Sequence, residues 1–297
     1  MLIDLHTHST RSDGTATPAD LVGQAAQRGL DVLGLTDHDT ADGWPEAVEA
    51  ASVQGITLVR GMEISTRYDG RSVHLLAYLP DPTYPPLAEE LARIRAGRDG
   101  RLPMMVDRLR GLGIDISEQD IRAAGEDGAV IGRPHVADAL VRKGVVAHRD
   151  EAFRTMLGPG GAANVSRYAT ALLDAMDLVR ASGGVSVLAH PWGRGRVLTP
   201  QGLATLAERG LTGIEVDHQN HTLEQRELLR GIAGELGLVA TGSSDFHGTG
   251  KVDHELGCNT TNPAQFARLV AAATLSREAS GRPAPQVLEA GAVSGRE

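Results

Sequence analysis

The stretch Met1-Leu2-Ile3-Asp4-Leu5-His6-Thr7-His8-Ser9-Thr10-Arg11-Ser12-Asp13-Gly14 decides how the chain is read. Leu2, Ile3 and Leu5 form an apolar run of the kind that makes a buried strand, and two histidines follow at its carboxyl end, two residues apart. Positions i and i+2 of a strand project on the same face, so His6 and His8 can bind one metal ion together. Asp13, in a Ser/Asp/Gly turn, can fold back over the same end of the sheet. A His-x-His pair standing alone is more often incidental than a ligand set, so its meaning depends on what the other strands end in.

Several of them end the same way. Thr17 and Pro18 open a helix to about Arg28, closed by Gly29, and the strand Asp31 to Leu35 delivers Thr36-Asp37-His38-Asp39. A helix from about Trp44 to Ser52 precedes the strand Ile56 to Val59, which leads to Gly61-Met62-Glu63-Ile64-Ser65. The strand Val73 to Leu79 carries His74 near its start and follows Asp69-Gly70, a hairpin signal, so it reads as antiparallel or irregular. From Pro80 the pattern changes to helices over 86–111, 118–124, 134–143 and 148–157, joined by glycine-rich turns. Alternation resumes with a helix from about Thr170 to Ser182 and strands ending in His190-Pro191-Trp192, in Asp217, and in Ser243-Ser244-Asp245-Phe246-His247. A last helix covers about Pro263 to Leu275.

Strands alternating with helices at this spacing make an α/β protein with a mostly parallel sheet. Candidate ligands at the ends of many strands favour a closed barrel over a doubly wound sheet, because a barrel brings those ends to one mouth. The expected division is a barrel from 1–80 and 168–275, a helical insertion over 81–167 that caps the substrate, and a disordered tail over 276–297, rich in Gly, Pro, Ala and Glu.

Bulk properties narrow the function. The 297 residues and 41% hydrophobic content suffice for a sizeable core. No 18-residue apolar span or secretory leader is present, and the single cysteine, Cys258, fits a reducing cytosol as a buried small residue, so a cytoplasmic location is expected. A formal charge of −9 argues against a broad nucleic-acid surface and against double-stranded DNA as a partner, and membrane association is not expected; a small phosphorylated substrate held through bound cations remains compatible. Arginines Arg93, Arg95, Arg98, Arg101, Arg108, Arg110, Arg122 and Arg133 gather in the insertion, either as solvated helix faces or as phosphate ligands turned toward the barrel.

Taken together, His6, His8, Asp13, His38, Glu63, His74, His190, Asp245 and His247 form a set of imidazoles and carboxylates without thiolate, suited to manganese, iron, zinc or cobalt and too large for one ion. Three carboxylates against three divalent ions leave roughly +3, a charge fitted to a phosphate ester. About ten metal bonds spread over three ions of five or six bonds each leave roughly five to eight positions open, which describes hydrolysis by a metal-bridging hydroxide rather than a closed structural site.

In this order the motifs are specific. From His6-Thr7-His8 through Thr36-Asp37-His38, Glu63, His74 and His190-Pro191 to Ser244-Asp245-Phe246-His247, the chain resembles the polymerase and histidinol phosphatase (PHP) family of metal-dependent phosphoesterases. The resemblance implies a distorted (βα)7 barrel with a trinuclear centre, manganese being the first expectation, in which His6, His8, Glu63 and Asp245 hold one ion, Glu63, His74 and His190 a second, and Asp13, His38 and His247 the third. The insertion containing Gly132-Arg133-Pro134-His135 is similar to the branch that removes the 3'-phosphate from nucleoside 3',5'-bisphosphates or trims short 5'-phosphorylated RNA, and by that analogy Arg133 and His135 contact the substrate's phosphate. Their alternative role is to start a helix. His190 or His247 would assist proton transfer if not fully occupied by metal.

Two other readings stand beside this one. A histidinol phosphatase would act on a small amino-alcohol phosphate without preferring a base, and a non-catalytic metal-binding module would show replaced ligands, which the sequence does not. His218 and His221 are expected behind the ligands or near the substrate, Trp44 and Trp192 at the barrel rim or against a base, and His148 and His254 have no assigned role. The oligomeric state is open.

Overall fold

A computed structural model describes residues 1–125, 129–193 and 198–290. Strand β1 (Ile3–Thr7) is buried along its whole length. Helix α1 (Pro18–Gln27) starts where Thr17 accepts the Asp20 N–H and Pro18 presets the first turn. Strand β2 (Val32–Leu35), helix α2 (Trp44–Gln54) and strand β3 (Thr57–Tyr68) complete two parallel units. The approach of β2 to β1 depends on Gly34, where a Cβ would lie 2.3 Å from the Leu5 carbonyl oxygen.

Strand β4 (Arg71–Tyr78) runs antiparallel to β3, as the Asp69-Gly70 turn indicates. It is antiparallel also to β6 (Val185–Leu188) on its other side, and this strand distorts the ring. Beyond it, β7 (Gly213–Asp217) and β8 (Val239–Gly242) are parallel again, giving the order β1-β2-β3-β4-β6-β7-β8. The ring closes where Thr7 pairs with Phe246 and the His8 N–H donates to the Phe246 carbonyl at 2.9 Å. The chain is thus a distorted seven-stranded α/β barrel, with the two-residue strand β5 (Thr170–Ala171) paired to β3 off the ring. Helices α7 (Leu172–Ala181), α8 (Pro200–Glu208), α9 (Leu223–Glu235) and α10 (Pro263–Ser280) lie between or after the later strands.

The insertion contains α3 (Pro85–Gly111), α4 (Glu118–Arg122), α5 (Arg133–Arg142) and α6 (Arg149–Ala152), which runs into a π-helical turn, Phe153–Leu157. Leu87, Leu91 and Ile94, on the first turns of α3, pack on the barrel core. From Leu102 onward the insertion has a core of its own, with Met105, Leu109, Ile121, Val136 and Leu140 at its centre. The change of packing partner therefore falls inside α3, some twenty residues after the change in composition at Pro80. The tail is more ordered than its composition suggests. Helix α10 continues past Leu275 to Ser280, and Leu288 exchanges backbone hydrogen bonds with Leu58 (2.9 and 3.0 Å), a pairing that glycine and proline content does not reveal; residues 291–297 lie outside the described residues. Among the described residues, no helix is long and apolar enough to cross a membrane.

Candidate metal centre

The turn after β1 is built to present His8 and Asp13. Asp37, at the end of β2, accepts from the Ser9 N–H (2.8 Å), Ser9 Oγ (2.6 Å) and Ser12 Oγ (2.6 Å), which fastens the turn to the neighbouring strand. Because Ser12 donates to Asp37, its oxygen is left to accept from His8 Nδ1 at 3.4 Å. That contact turns the ring so that Nε2 faces inward, where an ion would displace its proton. Gly14 closes the turn where a Cβ would sit 2.3 Å from the His8 carbonyl oxygen.

His6 is fixed the same way from below. Its Nδ1 donates to Glu215 Oε1 at 3.1 Å, leaving Nε2 toward the barrel mouth, 3.0 Å from His8 Nε2. Two imidazole nitrogens at this separation are spaced as ligands of a common ion. Around them stand Glu63 Oε2, 3.4 and 3.2 Å away, and Asp245 Oδ1, 3.5 and 3.4 Å away. The other oxygen of Glu63 faces His74 Nδ1 at 2.7 Å and His190 Nε2 at 3.2 Å. Glu63 thus sits between two groups, and its Oε2 also lies 3.1 Å from His38 Nδ1.

A third group adjoins the first. His247 Nδ1 donates to the Asp245 carbonyl (2.8 Å), so its Nε2 faces Asp13 Oδ1 at 3.2 Å, and His38 Nε2 lies 3.7 Å from Asp13 Oδ2. His8 lies close enough to share this group as well as the first. Asp39, His190 and Asp245 hold positive φ of 57°, 30° and 53°, strain that the surrounding hydrogen bonds must support and that is typical of functional strand ends. All nine residues singled out in the sequence therefore converge at one mouth of the barrel.

Burial and mutual charge set their protonation. Burial pushes Glu63, Asp13 and Asp245 up, but the facing histidines, with Lys251 for Asp245, outweigh it and hold all three well below the usual carboxylate range. For His38 burial wins and pushes it down to about 3; for His8 the opposed carboxylates Asp245 and Glu63 win over burial and raise it to about 9. Imidazoles surrounded by ionised carboxylates, with the second nitrogens of His6, His8 and His247 already committed, fit divalent cations.

Four further histidines prove to be structural. His221 donates through Nδ1 to the Val216 carbonyl (2.9 Å) and accepts the Trp192 N–H at Nε2 (3.2 Å), pinning the loop after β6 to β7. His218 accepts the Asn220 N–H at Nδ1 (3.0 Å), so its Nε2 carries the proton and donates to Asp245 Oδ2 at 3.2 Å. His218, Asp245 and His254 are near enough together to hold an ion. The proton on His218 Nε2 assigns that nitrogen instead to orienting Asp245. His254 donates to the Ser244 carbonyl (2.7 Å), and His148 caps α6 by accepting the Glu151 N–H.

Sequence reasoning missed Glu215, which is fully buried. Besides His6 it takes Ser243 Oγ on Oε1 and the His190 N–H on Oε2 (2.8 Å). Its signal was an acid at the centre of the strand Gly213–Asp217, between Ile214 and Val216, where a core strand is usually apolar. Both tryptophans are buried and their indole N–H groups are satisfied, Trp44 by the Gly61 carbonyl and Trp192 by that of Leu198. Cys258, expected buried, is exposed: it lies in the turn from Glu255 to Asn259, and partial burial beside Asp4 and Glu255 pushes its thiol up to about 11. In the insertion, His135 is buried, and its Nδ1 accepts the Gly132 N–H at 3.0 Å at the start of α5. Arg133 donates to the Leu157 carbonyl (3.1 Å) and lies over the Phe153 ring. Arg149 joins insertion to barrel, pairing with Asp138 and donating to the Gly250 carbonyl (3.1 Å).

A distorted α/β barrel whose mouth gathers six histidines and three carboxylates defines a metal-dependent hydrolase scaffold. Comparison with known proteins agrees. The model of the PHP domain matches residues 4–106. A 3',5'-nucleoside bisphosphate phosphatase of Chromobacterium violaceum is 35% identical over 257 residues, covering 86% of this chain and 90% of that protein. A 5'-3' exoribonuclease of Haemophilus influenzae is 35% identical over 252 residues, covering 82% and 89%. Among solved structures, a Bifidobacterium adolescentis chain assigned as a metal-dependent phosphoesterase superposes with a TM-score of 0.87 at 37% identity, covering 91% of this chain and 96% of that one. The chain belongs to the PHP family of phosphoesterases.

Proposed function

We propose that the protein hydrolyses phosphate esters of nucleotides, removing the 3'-phosphate of nucleoside 3',5'-bisphosphates or cleaving short 5'-phosphorylated RNA from its 5' end. The observation that carries this reading is the position of Glu63, whose two oxygens face separate ligand groups, with His8 joining the first of them to the third. We assign about three divalent ions to these groups, manganese first, in the sets His6/His8/Glu63/Asp245, Glu63/His74/His190 and Asp13/His38/His247. Such ions would acidify water and withdraw charge from phosphoryl oxygens.

The chain's own residues supply the rest. Glu215, Ser12 and the Asp245 carbonyl keep the free nitrogens of His6, His8 and His247 aimed at the centre, and His218 with Lys251 turns Asp245 so that Oδ1 faces the same way. His135, accepting on Nδ1, keeps a proton on Nε2 to donate to a substrate phosphate, with Arg133 beside it at the start of α5. His190, with a side chain 22% exposed against 9% for His247, is the better placed of these two to exchange a proton with the substrate. The two relatives' names point to one chemical unit, because the first nucleotide of a 5'-phosphorylated RNA is a nucleoside 3',5'-bisphosphate esterified on its 3' side. A cytoplasmic location suits such substrates.

Competition tests the assignment. With manganese-loaded protein, adenosine 3',5'-bisphosphate is expected to be turned over and to suppress any hydrolysis of histidinol phosphate. Turnover of histidinol phosphate with none of the bisphosphate or of 5'-phosphorylated RNA would assign the protein to amino-alcohol phosphates instead.

A further inference from the structure

Helix α3 carries Arg98 and Arg101 one turn apart, both more than nine-tenths buried. Their circumstances differ. Arg98 donates from Nε to Asp39 Oδ2 (2.9 Å) and from Nη2 to Ser65 Oγ (2.8 Å), so its charge is neutralised at the end of β2, one residue from His38. Arg101, only 7% exposed, has no hydrogen bond and no carboxylate within 4 Å among the described residues. Arg167, on the segment returning to the barrel, donates to the Tyr168 carbonyl (3.0 Å) and likewise pairs with no carboxylate there.

Burying an uncompensated guanidinium is costly, and a guanidinium cannot escape the cost by losing its proton near neutral pH. The cluster makes matters worse. Burial, then Arg167, Arg98 and Arg133, push Arg101 down, and burial and Arg98 push Arg167 down against the opposing charge of Asp39, with Arg133 adding to the push. The amino end of α5, a ten-residue helix, adds further positive potential: Arg98 Nη1 lies 3.1 Å from where a Cβ on its cap residue Gly132 would be. Such an arrangement is stable in the presence of a buried anion and strained without one.

We propose that Arg101 and Arg167 form an anion subsite for the substrate's non-scissile phosphate, the 5'-phosphate of a nucleoside bisphosphate or of an RNA 5' end. The inference rests on the nucleotide reading above and adds the group that selects for two phosphates over one. Arg98, anchored on Asp39 next to His38, ties the cluster to that edge of the metal centre, and a bound ribose would have to span the two. The guanidinium fork matches phosphate oxygens two at a time, which an ammonium does not.

The test compares kcat/KM for adenosine 3',5'-bisphosphate and adenosine 3'-monophosphate in manganese-loaded wild-type, Arg101→Met and Arg167→Met proteins, with a 5'-phosphorylated and a 5'-hydroxyl dinucleotide as the RNA pair. Wild type is expected to favour the doubly phosphorylated member of each pair, and each variant to lower that ratio by about tenfold or more, mostly through KM. Preference confined to one pair identifies which source of phosphate the subsite serves. Arg101→Met is further expected to melt no lower than wild type without substrate, since it removes an unpaired buried charge, whereas a structural arginine would cost stability. Ratios within about threefold of wild type, or a lower melting temperature with an unchanged ratio, overturn the subsite. If wild type turns over none of these substrates, the functional reading fails separately. Calorimetric binding of the bisphosphate then decides the subsite by the same tenfold weakening or its absence.

Discussion

Glu215 lies directly beneath His6, taking its Nδ1 proton at 3.1 Å while its other oxygen accepts the His190 N–H at 2.8 Å. One buried carboxylate therefore holds the ring of one candidate ligand and the strained backbone of another. Replacing it by glutamine places an N–H donor where an acceptor is needed. Glu215→Gln should lower metal affinity by about tenfold to a hundredfold, read as metal per protein by mass spectrometry, with Glu215→Asp recovering part of it. Unchanged metal content in Glu215→Gln would show that His6 is oriented by something else.

His8 and Asp13 are five residues apart in one turn, yet Asp13 faces His38 and His247 whereas His8 also faces His6 and Glu63. Asp13→Ala should lose one ion and keep those near Glu63. His8→Ala should disturb the ion near His6 as well. Metal analysis combined with the spectroscopy of a cobalt-substituted protein distinguishes the two patterns, and identical losses would contradict the ligand sets assigned above.

How far the sequence carries the structure can be seen at particular residues. The ligand positions were visible because a barrel puts strand ends together, so imidazoles and carboxylates at those ends meet without any tertiary detail being known. The antiparallel β4 followed from Asp69-Gly70. What lay hidden depends on contacts between distant segments. Glu215 matters through His6, 209 residues away, and the Leu58 to Leu288 pairing leaves no periodic trace in a tail rich in Gly and Pro. The proton on His218 depends on which backbone N–H its other nitrogen meets.

The metal-free protein should lose stability with rising pH. His8 is raised from 6.5 to about 9 in the folded state by Asp245 and Glu63 acting against burial. A group with a raised folded pKa contributes stability that is complete below its unfolded value and is lost as pH climbs through the folded one. Melting temperatures of chelator-treated protein are therefore expected to fall between pH 6.5 and about 9, and excess manganese should oppose the fall because metal competes with the proton. A flat profile without metal would mean that His8 is neutral throughout.

His221 is assigned a structural task, and its removal should show it. His221→Ala takes away both the donor to Val216 and the acceptor for the Trp192 N–H, leaving buried backbone groups unpaired at a cost of about 1–3 kcal/mol. Chemical denaturation should register that loss while metal content stays at the wild-type level. A drop in bound metal with no loss of stability would move His221 into the centre.

The central claim is that metal ions held by this barrel mouth make it a nucleotide phosphoesterase. Its most direct test is the release of inorganic phosphate from adenosine 3',5'-bisphosphate as manganese is titrated into chelator-treated protein. The account predicts no release at first, a rise as the ions bind, and a plateau at about three equivalents. Full occupancy by manganese with no phosphate released from the bisphosphate, and no cleavage of 5'-phosphorylated RNA, would contradict it.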